Sequence, residues 1–236
     1  MGQSWSIIVF AYNESGNVEQ VLTAINNFCQ ANFKSVNYEV IVVDDGSSDG
    51  SEHFMKQFTA QHSHFILLRK KTNKGIGEAL ISGYRSARFE NICAVPADGQ
   101  FDVTELKQCL DFSTENYISF YRPVKDGYTF YRNFLSNFNS WVNKLILGLD
   151  LVDVNWIKVY KKKQLDSIDF RLKSSLIESE ICSKLNLLGY TATQLPSQYL
   201  SRDHGRSKGG SIKTVSKAMV ELVILIFEIF KFRIKN

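Results

Sequence analysis

Apolar and polar positions follow two rhythms in the first half of the chain. Ser6–Phe10 is a short apolar run that predicts a first strand. From Asn17 the spacing changes, and Val18, Val21, Leu22 and Ile25 fall on one face of a predicted helix. Tyr38–Val43 is almost continuously apolar, as in a central strand covered on both sides. A helix opening near Ser51, a strand at Phe65–Leu68, a helix over Gly75–Ala87 and a strand at Ile92–Val95 continue the alternation. Short strands alternating with helices specify an α/β fold around a mostly parallel sheet.

The second half is less regular. Tyr117–Tyr121 and Asn155–Tyr160 read as strands, and Thr129–Leu147 as a long amphipathic helix. Leu176–Leu188 reads as a helix stopped by Gly189. Its acids Glu178 and Glu180 are expected on the surface or in packing, with one of them open to an acceptor role. The polar, glycine-rich segment SRDHGRSKGGS precedes a final helix from about Lys213. In that helix Thr214, Lys217, Glu221, Glu228 and Lys231 make one narrow polar stripe on an otherwise apolar surface. The expected organisation is a domain over 1–210 and an amphipathic helix over 211–236. That helix is expected at a membrane surface, with the domain or a second subunit as its other outlets.

Composition narrows the classes. A chain 44% hydrophobic and 22% charged is an ordinary globular protein, which argues against overall disorder. A net charge of +4 suits phosphate-bearing ligands or anionic lipid and is too weak to argue for nucleic acid. Cys29, Cys93, Cys109 and Cys182 have no CxxC spacing, so a disulfide framework or zinc site is not expected and a reducing compartment is. The N-terminal residues read as a strand instead of a signal peptide. The longest apolar stretch, Met219–Phe230, is broken by Glu221 and Glu228 and does not span a bilayer. The expected location is cytoplasmic, at the membrane face.

Ligands of open α/β sheets bind beyond the carboxyl ends of the strands, where DDGSSDG and PADGQFD both fall. In YNE, Tyr12 and Glu14 offer an aromatic face and a carboxylate, although Asn13 or Ser15 also reads as a helix cap. Asp44 and Asp45 end an apolar strand, where a buried charge requires a partner; the same residues also suit a plain turn. Gly75 and Gly77 open a helix whose amides suit phosphate, or simply start the helix tightly. In an extended stretch Asp98 and Gln100 would face one site with hard oxygen donors suited to Mg²⁺ or Mn²⁺. Arg122, Arg132, Arg202, Arg206 and Lys208 read as phosphate clamps or as solvated charges. Of the histidines, only His204 in the basic loop suggests a site role.

VFAYNESGN, IVVDDGSSDGS, NKGIGEALISGYRSA, PADGQFD and GRSKGG together resemble family 2 inverting glycosyltransferases over about residues 5–210. More narrowly, the chain resembles dolichyl-phosphate mannose synthases and bacterial polyprenyl-phosphate glycosyltransferases. The resemblance implies a GT-A fold, a nucleotide-sugar donor, a divalent cation and a lipid-phosphate acceptor. It assigns Ala11, Tyr12, Glu14, Asp44, Asp45, Lys74, Gly75, Ala97, Arg202, Arg206 and Lys208 to the donor. It makes Asp98 catalytic and, with Gln100, metal-binding, and sets Arg122 and Arg132 on the acceptor side. Two departures matter. Pro96 stands where the family carries a first metal aspartate, and Asn155-Trp156 replaces a Gly-Phe pair after Asp153. A glycan hydroxyl acceptor would need Asp153 as base. A non-catalytic nucleotide-sugar binder is the third reading, and an oligomer is compatible with all three.

Overall fold

The computed structural model describes residues 3–113, 116–123, 143–144, 147–201 and 212–235, with side chains in the last segment from residue 220. Among these residues, strands β1 (Trp5–Ala11), β2 (Tyr38–Asp44), β3 (Phe65–Arg69), β4 (Asn91–Pro96), β5 (Tyr117–Tyr121), β6 (Lys158–Lys161) and β7 (Ala192–Pro196) form one sheet. Their order is β3-β2-β1-β4-β6-β5-β7. The first four strands are parallel; β6 runs antiparallel to both β4 and β5, and β7 is parallel to β5.

The helices are α1 (Val18–Asn32), α2 (Ser51–Gln61), α3 (Ile76–Ser86), α4 (Lys162–Asp166), α5 (Ile177–Leu187) and α6 (Ile212–Lys235), with a 3₁₀-helix at Val103–Cys109. Alternate residues of the central strands feed two cores. Ile7, Val9, Val40 and Val42 face α1 and the 3₁₀-helix, while Ile8, Ile41 and Val43 face α3, α5 and α6. Burial on both faces explains why β2 is apolar throughout. Each such side chain contributes about 2 kcal/mol on burial.

Two features depart from the sequence pattern. Asn155–Ile157 turn instead of extending, and β6 begins only at Lys158. The edge strand β7, ATQLP, is only partly buried and carries little apolar signal. Of the two outlets open to Glu178 and Glu180, both take packing and are buried. Glu178 accepts hydrogen bonds from the Tyr84 and Tyr160 hydroxyls at 2.7 and 2.6 Å, joining α3, β6 and α5. Burial, reinforced by this carboxylate, raises both phenols well above their ordinary range. Glu180 accepts from the amides of Arg171 and Leu172 and pairs with buried Lys184. Of the long helix expected over Thr129–Leu147, most lies outside the described residues.

Candidate active site

The register of the parallel strands levels the carboxyl edge of the sheet. Ala11 pairs with Asp44, and Phe10 with Pro96, so β1, β2 and β4 end side by side. Adjacent strands lie about 4.8 Å apart, which puts the segments leaving β2 and β4 about 10 Å from each other. Tyr12 and Glu14 leave β1 between them.

Two loops distant in sequence are laced together here. The amides of Asn13, Glu14 and Ser15 donate to Ser47 Oγ, Ser51 Oγ and Asp49 Oδ2 at 3.0, 2.9 and 2.9 Å. The Ser48 amide donates back to Asn13 Oδ1 at 2.8 Å, with Asn13 held at φ +54°. Asn13 and Ser15 therefore bridge loops instead of capping α1, whose N-cap is Asn17. Glu14 Oε2 accepts from Asn17 Nδ2 at 2.8 Å.

The two aspartates of DDGSSDG divide their tasks. Asp45 accepts from the amides of Lys74 and Gly75, at 3.1 and 2.7 Å through Oδ2, and lies 3.5 Å from Lys70 Nζ. It thereby anchors the start of α3. The Gly75 amide expected to meet phosphate is thus already taken by a carboxylate, which an anion would have to displace. Gly77 serves close packing, because a Cβ there would stand 2.2 Å from the Lys173 carbonyl carbon. Asp44 is fully buried, and its Oδ1 accepts from the Ser47 amide at 2.9 Å. Its Oδ2 receives no hydrogen bond among the described residues, and Arg69 Nε lies 3.9 Å away. A buried carboxylate oxygen without a donor is costly, so a ligand N–H or O–H is the natural complement.

After β4 the chain turns instead of extending. Gly99 has φ +74°, and Asp98 Oδ1 accepts from the Gln100 amide at 3.1 Å. Asp98 and Gln100 are therefore brought together by a turn, not by strand alternation. Ala97 is pinned by its amide to Phe10 O at 3.0 Å, and Gln100 Nε2 donates to the Tyr199 hydroxyl.

From Tyr199 a continuous assembly runs to the end of β5 and the turn before β6. Arg122 lies over the Trp156 and Tyr199 rings, 4.4 and 5.4 Å from their centroids. Its Nε donates to Asp153 Oδ2 at 2.7 Å, with the side chains 12% and 5% exposed. Trp156 Nε1 donates to Ser197 Oγ at 2.7 Å, tying the ring to the segment after β7. Beneath Asp153, buried Lys158 donates to three backbone carbonyls of the same turn. Tyr199, Ser197 and Lys158 were not identified in the sequence, and Trp156 stood out there only as a departure from the family pattern. Arg132, Arg202, His204, Arg206 and Lys208 lie outside the described residues.

The Asp98 carboxylate and the Gln100 side-chain oxygen are hard donors. Pro96 ends β4 as a paired residue whose side chain has no ligating atom. Among the described residues no three His, Cys, Asp or Glu side chains converge as a metal-binding group. This donor set fits a divalent cation completed by phosphate oxygens, and does not fit an ion caged by protein alone.

A mostly parallel α/β sheet with acidic turns at the carboxyl ends of its strands is a frame suited to nucleotide binding. Residues 6–170 match the family described as glycosyl transferase family 2, and the chain belongs to that family. Its fold is that of the mannosyltransferase PcManGT from Pyrobaculum calidifontis, solved with GDP-Man and Mn²⁺. The TM-score is 0.66 at 18% identity, over 94% of this chain and 63% of that one. Glucosyl-3-phosphoglycerate synthase from Mycobacterium tuberculosis, with Mg²⁺ and UDP, aligns with a TM-score of 0.69 at 16% identity, over 97% of this chain and 79% of that one. S. aureus TarS 1-349 with UDP-GlcNAc aligns with a TM-score of 0.66 at 16% identity, over 94% and 65%. At such identities the likeness establishes the GT-A fold alone. The chain spans less than two thirds of the first and last of these relatives.

Proposed function

We propose that this chain transfers a sugar, with inversion, from a nucleotide-sugar donor to a polyprenyl phosphate at a membrane surface. The acceptor phosphate oxygen forms a bond to the anomeric carbon as the bond to the leaving nucleoside diphosphate breaks. The donor lies across the strand ends, with its nucleoside against Tyr12 and the β2 end at Asp44 and its diphosphate by Asp98 and Gln100. A divalent cation bound there with the donor supplies Lewis-acid stabilisation of the leaving diphosphate. Arg202, Arg206 and Lys208, cations in the basic segment of the sequence, are proposed to pair with the same diphosphate.

One observation carries the choice of acceptor: Asp153, the carboxylate available as a base, is held in an ion pair with Arg122. A phosphate monoester is already an anionic nucleophile at neutral pH and needs no base. In this reading Arg122, aided by Arg132, orients the acceptor phosphate. A sugar-hydroxyl acceptor is the second reading, favoured by Asp153 standing beside the cleft; it requires Asp153 to leave Arg122 and take the hydroxyl proton.

Incubating the purified chain with labelled nucleotide sugars and either undecaprenyl phosphate or oligosaccharide acceptors tests the proposal. The expected product is a cation-dependent lipid-linked sugar phosphate. Transfer to the glycan alone establishes the second reading. Donor binding without transfer or hydrolysis under any condition overturns both and leaves a nucleotide-sugar-binding protein.

A further inference from the structure

Helix α6 has two apolar faces, and the domain covers one of them. Leu225 and Ile229 are buried in the core beside α5, with Leu222 and Phe232 packed against it. On the opposite side Val220, Val223, Ile224, Phe227, Phe230 and Ile234 are exposed, Val223 and Phe227 by 68% and 67%. At about 100° per residue these six fall within an arc of about 120° and run about 21 Å along the helix. A patch of this kind on an isolated domain calls for an occupant.

The charges along the helix select that occupant. The exposed charged side chains described on α6 are Lys231, Arg233 and Lys235, all basic. Lys231 and Lys235 share the side of the apolar stripe. The two acids, Glu221 and Glu228, are only partly exposed and fall at the seam between stripe and domain. Pairing through the same helix of a second copy would bring another apolar stripe but, among the described side chains of α6, no fully exposed acid to meet these lysines. An anionic lipid surface meets both features, since acyl chains accept the aromatic and aliphatic side chains while headgroups pair with the lysines. No helix among the described residues is long and apolar enough to cross a membrane, so this contact lies in the interface.

We infer that the outward stripe of α6 is a membrane-docking surface, specific for anionic bilayers, on which the domain rides with α6 parallel to the lipid plane. Lipid attachment then belongs to the folded domain itself, independently of which acceptor the cleft uses. The full chain is mixed with vesicles of phosphatidylcholine alone or with added phosphatidylglycerol, and flotation is measured without donor or acceptor. The anionic vesicles are expected to bind it about tenfold more tightly than the neutral ones. Phe227→Glu with Phe230→Glu, at exposed positions, is expected to abolish flotation while leaving the melting temperature unchanged. Lys231→Glu with Lys235→Glu is expected to remove the preference for anionic lipid. Failure of the folded full chain to float overturns the inference, as does equal binding by the Phe227→Glu, Phe230→Glu protein. A dimer that the same two substitutions disperse, with no vesicle binding, overturns it in favour of self-association. Because no sugar transfer is measured, these outcomes are separate from the fate of the acceptor assignment.

Discussion

Lys158 reaches back under the turn that carries Asp153, and its Nζ donates to the carbonyl oxygens of Asp153, Val154 and Trp156 at 3.0, 3.0 and 3.1 Å. The ammonium is buried, and those three carbonyls satisfy it in place of water. The same contact stops the chain from extending before β6 and turns Asp153 toward Arg122. A charge on one strand thus sets the position of a carboxylate five residues away.

Lys158→Met leaves three carbonyls without their donor and is expected to destabilise the fold by about 2–4 kcal/mol, read from urea unfolding. Per folded molecule, KM for the acceptor should rise more than kcat falls, because the turn that orients Asp153 and Arg122 loosens. An unchanged acceptor KM would leave Lys158 with a purely structural role.

Asp98→Asn keeps an oxygen able to accept from the Gln100 amide but removes the negative charge. Transfer is expected to fall by roughly a hundredfold or more, about 2.7 kcal/mol in barrier, with the melting temperature nearly unchanged. Cation titration of the residual activity checks the cause. If cation affinity is unaltered, Asp98 does not hold the metal.

Gly46 sits at φ +80° where the turn after β2 crosses the segment before α3, and a Cβ there would lie 2.7 Å from the Thr72 carbonyl carbon. Backbone cannot swing aside as a side chain can. Gly46→Ala is expected to cost about 2–4 kcal/mol and to loosen the Asp45 contacts to Lys74 and Gly75. Denaturation midpoint and donor affinity should fall together.

All four cysteines are free and buried. Burial pushes the thiols of Cys29 and Cys109 up to about 12 and that of Cys182 to about 11, and raises Cys93 well above its ordinary range. The thiolate is the reactive form, so the native protein should not react with a thiol reagent at pH 8. All four should titrate on unfolding, and a fast-reacting thiol in the native state would contradict this packing.

Partial burial pushes the Asp49 carboxyl up, but hydrogen bonds from the Ser51 hydroxyl and the Ser15 and Ser51 amides outweigh it and hold the group at about 2. A carboxyl lowered by folding stabilises the protein above its unfolded pKa, about 3.9, and loses that contribution as pH falls through 2. The stability difference between the native protein and Asp49→Asn should therefore be fullest above pH 4 and shrink toward pH 2. A pH-independent difference would mean the loop bonds do not depend on the charge.

Much of the edge proposed to hold the donor was legible in the sequence as local structure. Its residues lie within short segments at strand ends, and strand periodicity with turn chemistry is a local property of the chain. The βα alternation placed β1 to β4, and DDGSSDG and PADGQFD announced the turns that follow two of them. The sequence did not reveal which aspartate of the pair would be spent on α3 and which would keep a buried oxygen without a donor. Nor did it reveal that Asp98 and Gln100 meet through a turn.

The assembly proposed to face the acceptor was not legible in that way. Gln100, Arg122, Asp153, Trp156 and Tyr199 come from separated segments, and contact among them exists only once β5, β6 and β7 have paired. Glu178 and Glu180 show the same limit, since apart from Lys184 on their own helix their partners come from α3, β6 and the loop before α5. Hydrophobic spacing determined this protein's layers, because each residue's preference for core or water acts locally. Tertiary structure alone decided which buried charges are satisfied and which face of α6 stays open, because those depend on groups that only the folded chain brings together.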